Sequence, residues 1–233
     1  MDWQTLTTAL FGATHDVRAT GPFLHGTAQF DGDTLTVIGT TDHAPIGVEL
    51  ALAQARAVLD VVRDHPGRSI LLLIDTQGQH LRQREELLGI NRAMAHLGMA
   101  MDLARRQGHT IVGLVYDQAL SGGFITSGLV ADVCDALPDA EIRVMRIPAM
   151  SRVTKLPEAM LVELSKANPV FAPGVANYLA MGGVRHLWGA DLRGELRAAL
   201  QAATPQDNRA QWGAERGGRR LAARVAQQVL DAA

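Results

Sequence analysis

Two unbroken apolar runs govern what this chain can fold into. Residues 70–74 read Ile-Leu-Leu-Leu-Ile and end at Asp75; residues 111–116 read Ile-Val-Gly-Leu-Val-Tyr. Apolarity without alternation over so few residues is the pattern of a strand covered on both faces, and such runs are far too short to span a bilayer. Between them Ile90, Met94, Leu97, Met101 and Ala104 recur at helical spacing and stop at Gly108. Strands over 70–75 and 110–116 joined by that helix make a βαβ crossover, right-handed by default, and so a parallel sheet.

Other segments extend this unit. Residues 27–30 and 35–38 flank Asp31-Gly32 and predict a hairpin. Val48, Leu52, Ala55, Leu59 and Val62 predict a helix ending at His65-Pro66-Gly67. Residues 132–136 and 142–147 read as strands, 157–167 and 173–181 as helices, 184–188 as a short strand and 192–202 as a helix. Residues 204–218 have the composition of a linker, and 221–230 form an amphipathic helix that packs on this chain or on a neighbour. No repeat or internal boundary is visible, so residues 1–233 are expected to form one α/β domain, with 203–233 as its C-terminal linker and helix.

The chain has 22 basic and 24 acidic residues, a balance that gives no general attraction to nucleic acid or anionic membrane. Met1-Asp2-Trp3-Gln4 has neither the basic start nor the apolar core of a signal peptide. Cys134 is the only cysteine, which rules out an intrachain disulfide and suits a reducing compartment, with the thiol as a small buried hydrophobe. A cytoplasmic location is expected.

The second strand feeds Leu120-Ser121-Gly122-Gly123-Phe124, a small-residue turn into an apolar segment of helical length. There the amides of Gly122, Gly123 and Phe124 lack intrahelical acceptors and sit at the positive end of the helix dipole. Such a turn takes a phosphate or an oxyanion. Gly123-x4-Gly128 has P-loop spacing, but Leu129 and Val130 stand where Lys and Ser/Thr are required, and no Gly-x-Gly-x-x-Gly follows a strand. The oxyanion reading survives. The first strand ends in Asp75-Thr76-Gln77-Gly78-Gln79, a second glycine loop at the same end of the sheet, where ligands of parallel sheets bind. An Asp that caps a turn and a Gly that permits one explain that loop equally well.

No nucleophile elbow is present, so Ser121 and Ser127 are not marked as nucleophiles. The eight histidines never fall at i,i+3 or i,i+4, and there is no His-Glu-x-x-His or Cys-x-x-Cys, so no metal site is expected. His80 is the histidine nearest the two loops, although a surface role accounts for it more simply. Glu85-Glu86 offers acid or base but reads as solvated cap charge, and Arg82 and Arg84 as a polar helix face. Arg209, Arg216, Arg219, Arg220 and Arg224 give the tail a basic face suited to solvent or to an acidic carrier or phosphate.

Leu73-Ile74-Asp75-Thr76-Gln77-Gly78 resembles the Asp-Thr-Pro-Gly loop of the carboxyltransferase branch of the crotonase superfamily, and Ser121-Gly122-Gly123 resembles its Gly-Ser-Gly-Gly oxyanion loop. Gln77 replaces the usual proline and Leu120 a glycine, which argues against a standard biotin carboxyltransferase subunit. The chain is more similar, over essentially its whole length, to the gamma subunits of biotin-independent malonate decarboxylases. The distinctive segments are residues 148–157 (Pro-Ala-Met-Ser-Arg-Val-Thr-Lys-Leu-Pro) and 168–174 (Asn-Pro-Val-Phe-Ala-Pro-Gly).

The resemblance implies a crotonase-like spiral of ββα units and half of a paired active site, completed by a beta-type subunit. It implies no cofactor of the chain's own. The substrate would be a malonyl thioester on the phosphoribosyl-dephospho-coenzyme A arm of an acyl carrier protein, with an acyl-carrier transferase as a further partner. Gly122 and Gly123 would be the backbone oxyanion donors, with Ser121 beside them; His80 and Tyr116 are candidate proton donors, and Gln77, Gly78 and Phe124 would line the substrate site. In related carboxyltransferases the beta-type half holds the thioester carbonyl and the gamma-type half the biotin ureido oxygen. Alternatives are a component of a biotin-dependent carboxylase or decarboxylase, and a noncatalytic scaffold completing the partner's site.

Overall fold

The computed structural model describes all residues except 168–173, 205, 219, 220 and 233. Helix α1 (Trp3–Phe11) is followed by the antiparallel strands β1 (Arg18–Thr20), β2 (Phe23–Phe30) and β3 (Asp33–Thr40). The expected hairpin is present: Asp31 and Gly32 both adopt left-handed backbone, as a two-residue turn requires. Next come β4 (Ala44–Ile46), α2 (Val48–Asp64), β5 (Ile70–Gln79), α3 (Gln83–Leu87), α4 (Ile90–Arg106) and β6 (Ile111–Leu120). The remaining elements are α5 (Ser121–Ile125), β7 (Val133–Ala136), β8 (Glu141–Arg143), α6 (Ile147–Thr154), α7 (Glu158–Ala167), α8 (Val175–Ala180), α9 (Leu192–Ala202), α10 (Arg209–Glu215) and α11 (Ala222–Asp231).

The sheet order is β1-β2-β3-β5-β6-β7, parallel from β3 onward. Alternate residues of the apolar runs serve two cores, which explains why the runs are continuous. Ile70, Leu72, Ile74 and Val115 pack with Val58 of α2 and with Leu97 and Met101 of α4. Leu71, Leu73, Leu114 and Tyr116 face the other way, toward Leu6 and Leu10 of α1 and Leu196 of α9.

Both central strands outrun their apolar segments. Ile74 pairs with Val115, but the next pair is Thr76 with Ala119, so Asp75 alone opposes Tyr116, Asp117 and Gln118. Such a bulge bends the ladder. Before it β5 pairs with β3 and β6 with β7; beyond it β5 pairs with β4 and β6 with β8.

Three expectations are corrected. The strand expected over 142–147 ends at Arg143, because Ile147 opens α6 with Pro148 in its first turn, where a missing N–H costs nothing. Residues 184–188 contribute a single bridge, Leu187 to Ala136, rather than a strand. Residues 204–218 are not simply a linker, since they contain α10. The Arg216 guanidinium donates to the carbonyls of Leu179, Val184 and Arg185 and stacks over Trp212, while Arg209 donates to the Ala131 carbonyl. These arginines satisfy loop and helix-end carbonyls, so a segment with linker composition is held down. Of the basic tail, Arg219 and Arg220 lie outside the described residues, as does segment 168–174 apart from Gly174.

Two glycine loops in contact: the candidate functional site

The loops that end β5 and β6 meet backbone to backbone. Gly78 has φ +94°, and a Cβ there would lie 2.7 Å from the Leu120 carbonyl oxygen and 2.7 Å from Ser121 Cβ. A Cβ at Gly123 would lie 2.8 Å from Ile46 Cγ1 and 3.0 Å from Gly78 Cα. Both glycines are therefore demanded by packing. Gly122 differs: its Cβ would meet only the flexible end of Met94, at 3.4 Å, and Gln79 Oε1, at 3.7 Å. Of the three, Gly122 is the glycine whose missing side chain leaves open room beside the backbone.

Ser121 reaches the turn with φ 53°, a left-handed conformation uncommon for a residue with a Cβ and costing of order 1–3 kcal/mol. Among the described residues no side chain caps the start of α5, so its first amides lack side-chain acceptors there. Its far end is closed tightly: Thr126 Oγ1 donates to the Gly122 carbonyl at 3.0 Å and Ser127 Oγ to the Gly123 carbonyl at 2.8 Å. On the β5 side, Thr76 Oγ1 donates to the Ala44 carbonyl at 2.6 Å and accepts from the Gly78 amide at 2.9 Å.

Next to the loops, Glu85 does not act as a solvated charge. It is buried, and its carboxylate accepts from the Val48 amide at 2.8 Å and from Arg84 at 3.0 Å, capping α2 from another segment. The Val48 bond, ahead of Arg84, holds the Glu85 carboxyl below the usual range. Gly47 makes room for it, since a Cβ there would lie 2.8 Å from Glu85 Oε2 and 3.5 Å from His80 Nδ1. His80 thus stands at the β4–α2 corner, half-buried, with its amide donating to the Ile46 carbonyl at 2.9 Å.

The bulge gathers a second group. His43, whose φ of 49° follows a φ of 59° at Asp42, places Nε2 3.2 Å from Asp117 Oδ2 and 3.7 Å from Asp75 Oδ1. Asp75 is buried; desolvation pushes its carboxyl up, against the pull of the His43 amide, which donates to Oδ2 at 2.8 Å.

Comparison with known proteins places the chain in a family. Residues 41–233, which include both loops, match the malonate decarboxylase gamma subunit family. The chain belongs to that family. A malonyl-S-ACP:biotin-protein carboxyltransferase from Malonomonas rubra is 35% identical over 182 residues, covering 70% of this chain and 62% of that relative's length. Among solved structures, a Pseudomonas malonate decarboxylase hetero-tetramer in complex with coenzyme A superposes with TM-score 0.81 at 24% identity, over 97% of each chain. A Pseudomonas MdcD–MdcE hetero-dimer gives TM-score 0.75 at 25% identity, over 97% of this chain and 96% of that one. Transcarboxylase 12S shares the fold at 19% identity with TM-score 0.73, over 88% of this chain and 42% of that one. The expected crotonase-like α/β architecture is the one these structures share.

Seen as a malonate decarboxylase gamma-family chain, its expected site residues divide. Ser121, Gly122, Gly123 and Gly78 come together, and Gln77 lies exposed at their edge. Phe124 is corrected: its ring is buried, edge-on to Tyr178 at 6.1 Å, and as the fourth residue of α5 it lies past the amides at the helix start that lack intrahelical acceptors. Tyr116 is corrected too. Its hydroxyl donates to the Thr40 carbonyl at 2.9 Å within the core, and burial raises its pKa further. Sequence reasoning missed Met94 and Gln79 beside Gly122, and the His43–Asp75–Asp117 group. The equal ends of the two apolar runs could have paired Asp75 with Asp117; nothing local points to His43.

Proposed function

We propose that this chain is the gamma component of a malonate decarboxylase, forming with a beta-type subunit a lyase that converts a malonyl thioester to an acetyl thioester. The observation that carries the reading is the family match across both glycine loops, together with their direct contact. The acyl group would ride on the coenzyme A-like arm of an acyl carrier protein, loaded by an acyl-carrier transferase subunit; the coenzyme A complex of the Pseudomonas relative supports an arm of that chemistry.

Decarboxylation needs no nucleophile. The carbon–carboxylate bond breaks, its electron pair moves onto the thioester oxygen as an enolate, carbon dioxide leaves, and the enolate carbon takes a proton. What the protein supplies is aimed donors and exclusion of water, one such donor being worth roughly 3–4 kcal/mol of barrier. By analogy with carboxyltransferases, the Gly122 and Gly123 amides face the departing carboxylate, and the beta-type subunit holds the enolate oxygen. His80 is this chain's candidate proton donor. Exposed apolar side chains on the segments that follow the loops (Leu81, Leu87, Leu88 and Ile125) suit a surface that a partner covers.

The test is co-expression with the neighbouring beta-type subunit and assay on malonyl-loaded carrier protein. Gly122→Val should abolish turnover with assembly intact; normal turnover would sink the reading, and lost assembly with normal turnover in what assembles would favour a noncatalytic scaffold. A second reading, a biotin-protein carboxyltransferase component, draws on the Malonomonas relative. Avidin inhibition of the purified complex would select it.

A further inference from the structure

We propose that His43, Asp75 and Asp117 bind one divalent transition-metal ion of the zinc–manganese class, which clips the start of β4 to the bulge between β5 and β6. Each residue offers one ligand atom, and the three atoms lie within 4.8 Å of one another. His43 Nε2 is 3.2 Å from Asp117 Oδ2 and 3.7 Å from Asp75 Oδ1. Metal bonds of about 2.0–2.2 Å set neighbouring ligand atoms roughly 3.0–3.5 Å apart, so the group closes on an ion with a small adjustment.

An independent observation points the same way. The Asp75 side chain is 3% exposed, yet among the described residues its Oδ1 has no hydrogen-bond partner. Oδ2 takes the His43 amide at 2.8 Å, and the Gln118 amide adds a weaker pull on the carboxylate. At 3.7 Å the imidazole is too far to serve Oδ1 by a hydrogen bond. A protonated His43 would satisfy Asp117 and leave that buried oxygen orphaned, whereas an ion on the exposed side of Asp75 satisfies all three groups.

Donor set and charge select the ion. One imidazole nitrogen and two carboxylate oxygens suit a borderline divalent ion, whose two charges the carboxylates neutralise. The His43 and Asp117 side chains are 54% and 49% exposed, which leaves an entry path and open positions for water. The amide bond to Oδ2 orients Asp75 as an outer-shell contact would. The three ligands come from β5, β6 and the residue before β4, so a bound ion would fix the strands that carry Gly78 and Ser121 without touching a substrate.

The full chain, stripped with a chelator, is titrated calorimetrically with zinc and then with manganese. One ion per chain should bind saturably and raise the melting temperature. His43→Gln and Asp117→Asn should each weaken binding at least about tenfold, while His65→Gln, at an exposed histidine elsewhere, should not. Absence of stoichiometric binding, or binding unchanged in both variants, overturns the proposal. Should a variant fail to fold, the wild-type chain still decides: manganese should broaden the amide resonances of residues 43, 75 and 117 selectively, and broadening centred elsewhere refutes the site.

Discussion

Gly78 and Gly123 pack against each other so closely that a Cβ on Gly123 would lie 3.0 Å from the Gly78 α-carbon. At that spacing Gly123 has no room for a side chain. Gly78→Ala and Gly123→Ala should each lower stability by about 2–4 kcal/mol, combining overpacking with, at Gly78, an unfavourable left-handed backbone. Gly122→Ala should cost under about 1 kcal/mol, because its new methyl would meet only the movable end of Met94. Denaturant midpoints of the three variants check the order, and equal losses would contradict it.

Tyr116 and His80 should behave oppositely in the assembled enzyme. Removing the Tyr116 hydroxyl frees the Thr40 carbonyl and should cost about 1 kcal/mol of stability with kcat unchanged. His80→Asn should lower kcat by about 10²–10⁴ with little change in stability, as expected for loss of a proton donor. A fall in kcat in Tyr116→Phe would reverse the assignment.

Glu85 gives the fold an acid-sensitive joint. Its folded pKa lies below its ordinary value of 4.5, chiefly through the Val48 amide. The stabilisation is therefore complete above that ordinary value and is lost as pH falls through the lower, folded value. Wild type and Glu85→Gln should differ most in melting temperature near neutral pH and converge in acid. A gap that does not narrow would show that the charge is immaterial.

Arg216 anchors the segment around α10 by three carbonyl contacts, so Arg216→Ala should speed limited proteolysis between residues 204 and 218. Arg224→Ala, on the exposed α11, should leave the cleavage rate unchanged.

The parallel core was legible because Ile70–Ile74 and Ile111–Tyr116 are buried on both faces and leave no other pattern open. The meeting of the loops followed from their shared sheet end. Which glycine is hemmed in was not legible, since Gly122 and Gly123 look identical until Ile46 and Gly78 close on one of them. The burial of Phe124 was equally hidden, because a ring beside a functional turn reads the same whether it points to solvent or to Tyr178. The burial of Glu85 was hidden for a related reason: its partner, the Val48 amide, lies 37 residues away. Local spacing likewise could not find His43, which reaches Asp117 across 74 residues.

The bulge at Asp75 works as a length standard. From Ile74 to Thr76 β5 advances two positions while its neighbour advances four, from Val115 to Ala119, so β6 carries two surplus residues. Those two set where Ser121 arrives relative to Gly78. Insertions in the loops before β5 or β6 leave that count untouched, whereas one added or lost between Asp117 and Ser121 would slide Gly123 off its seat. The stretch from the bulge to the glycine turn is thus the part of this chain whose residue number, and not only its composition, is fixed by geometry.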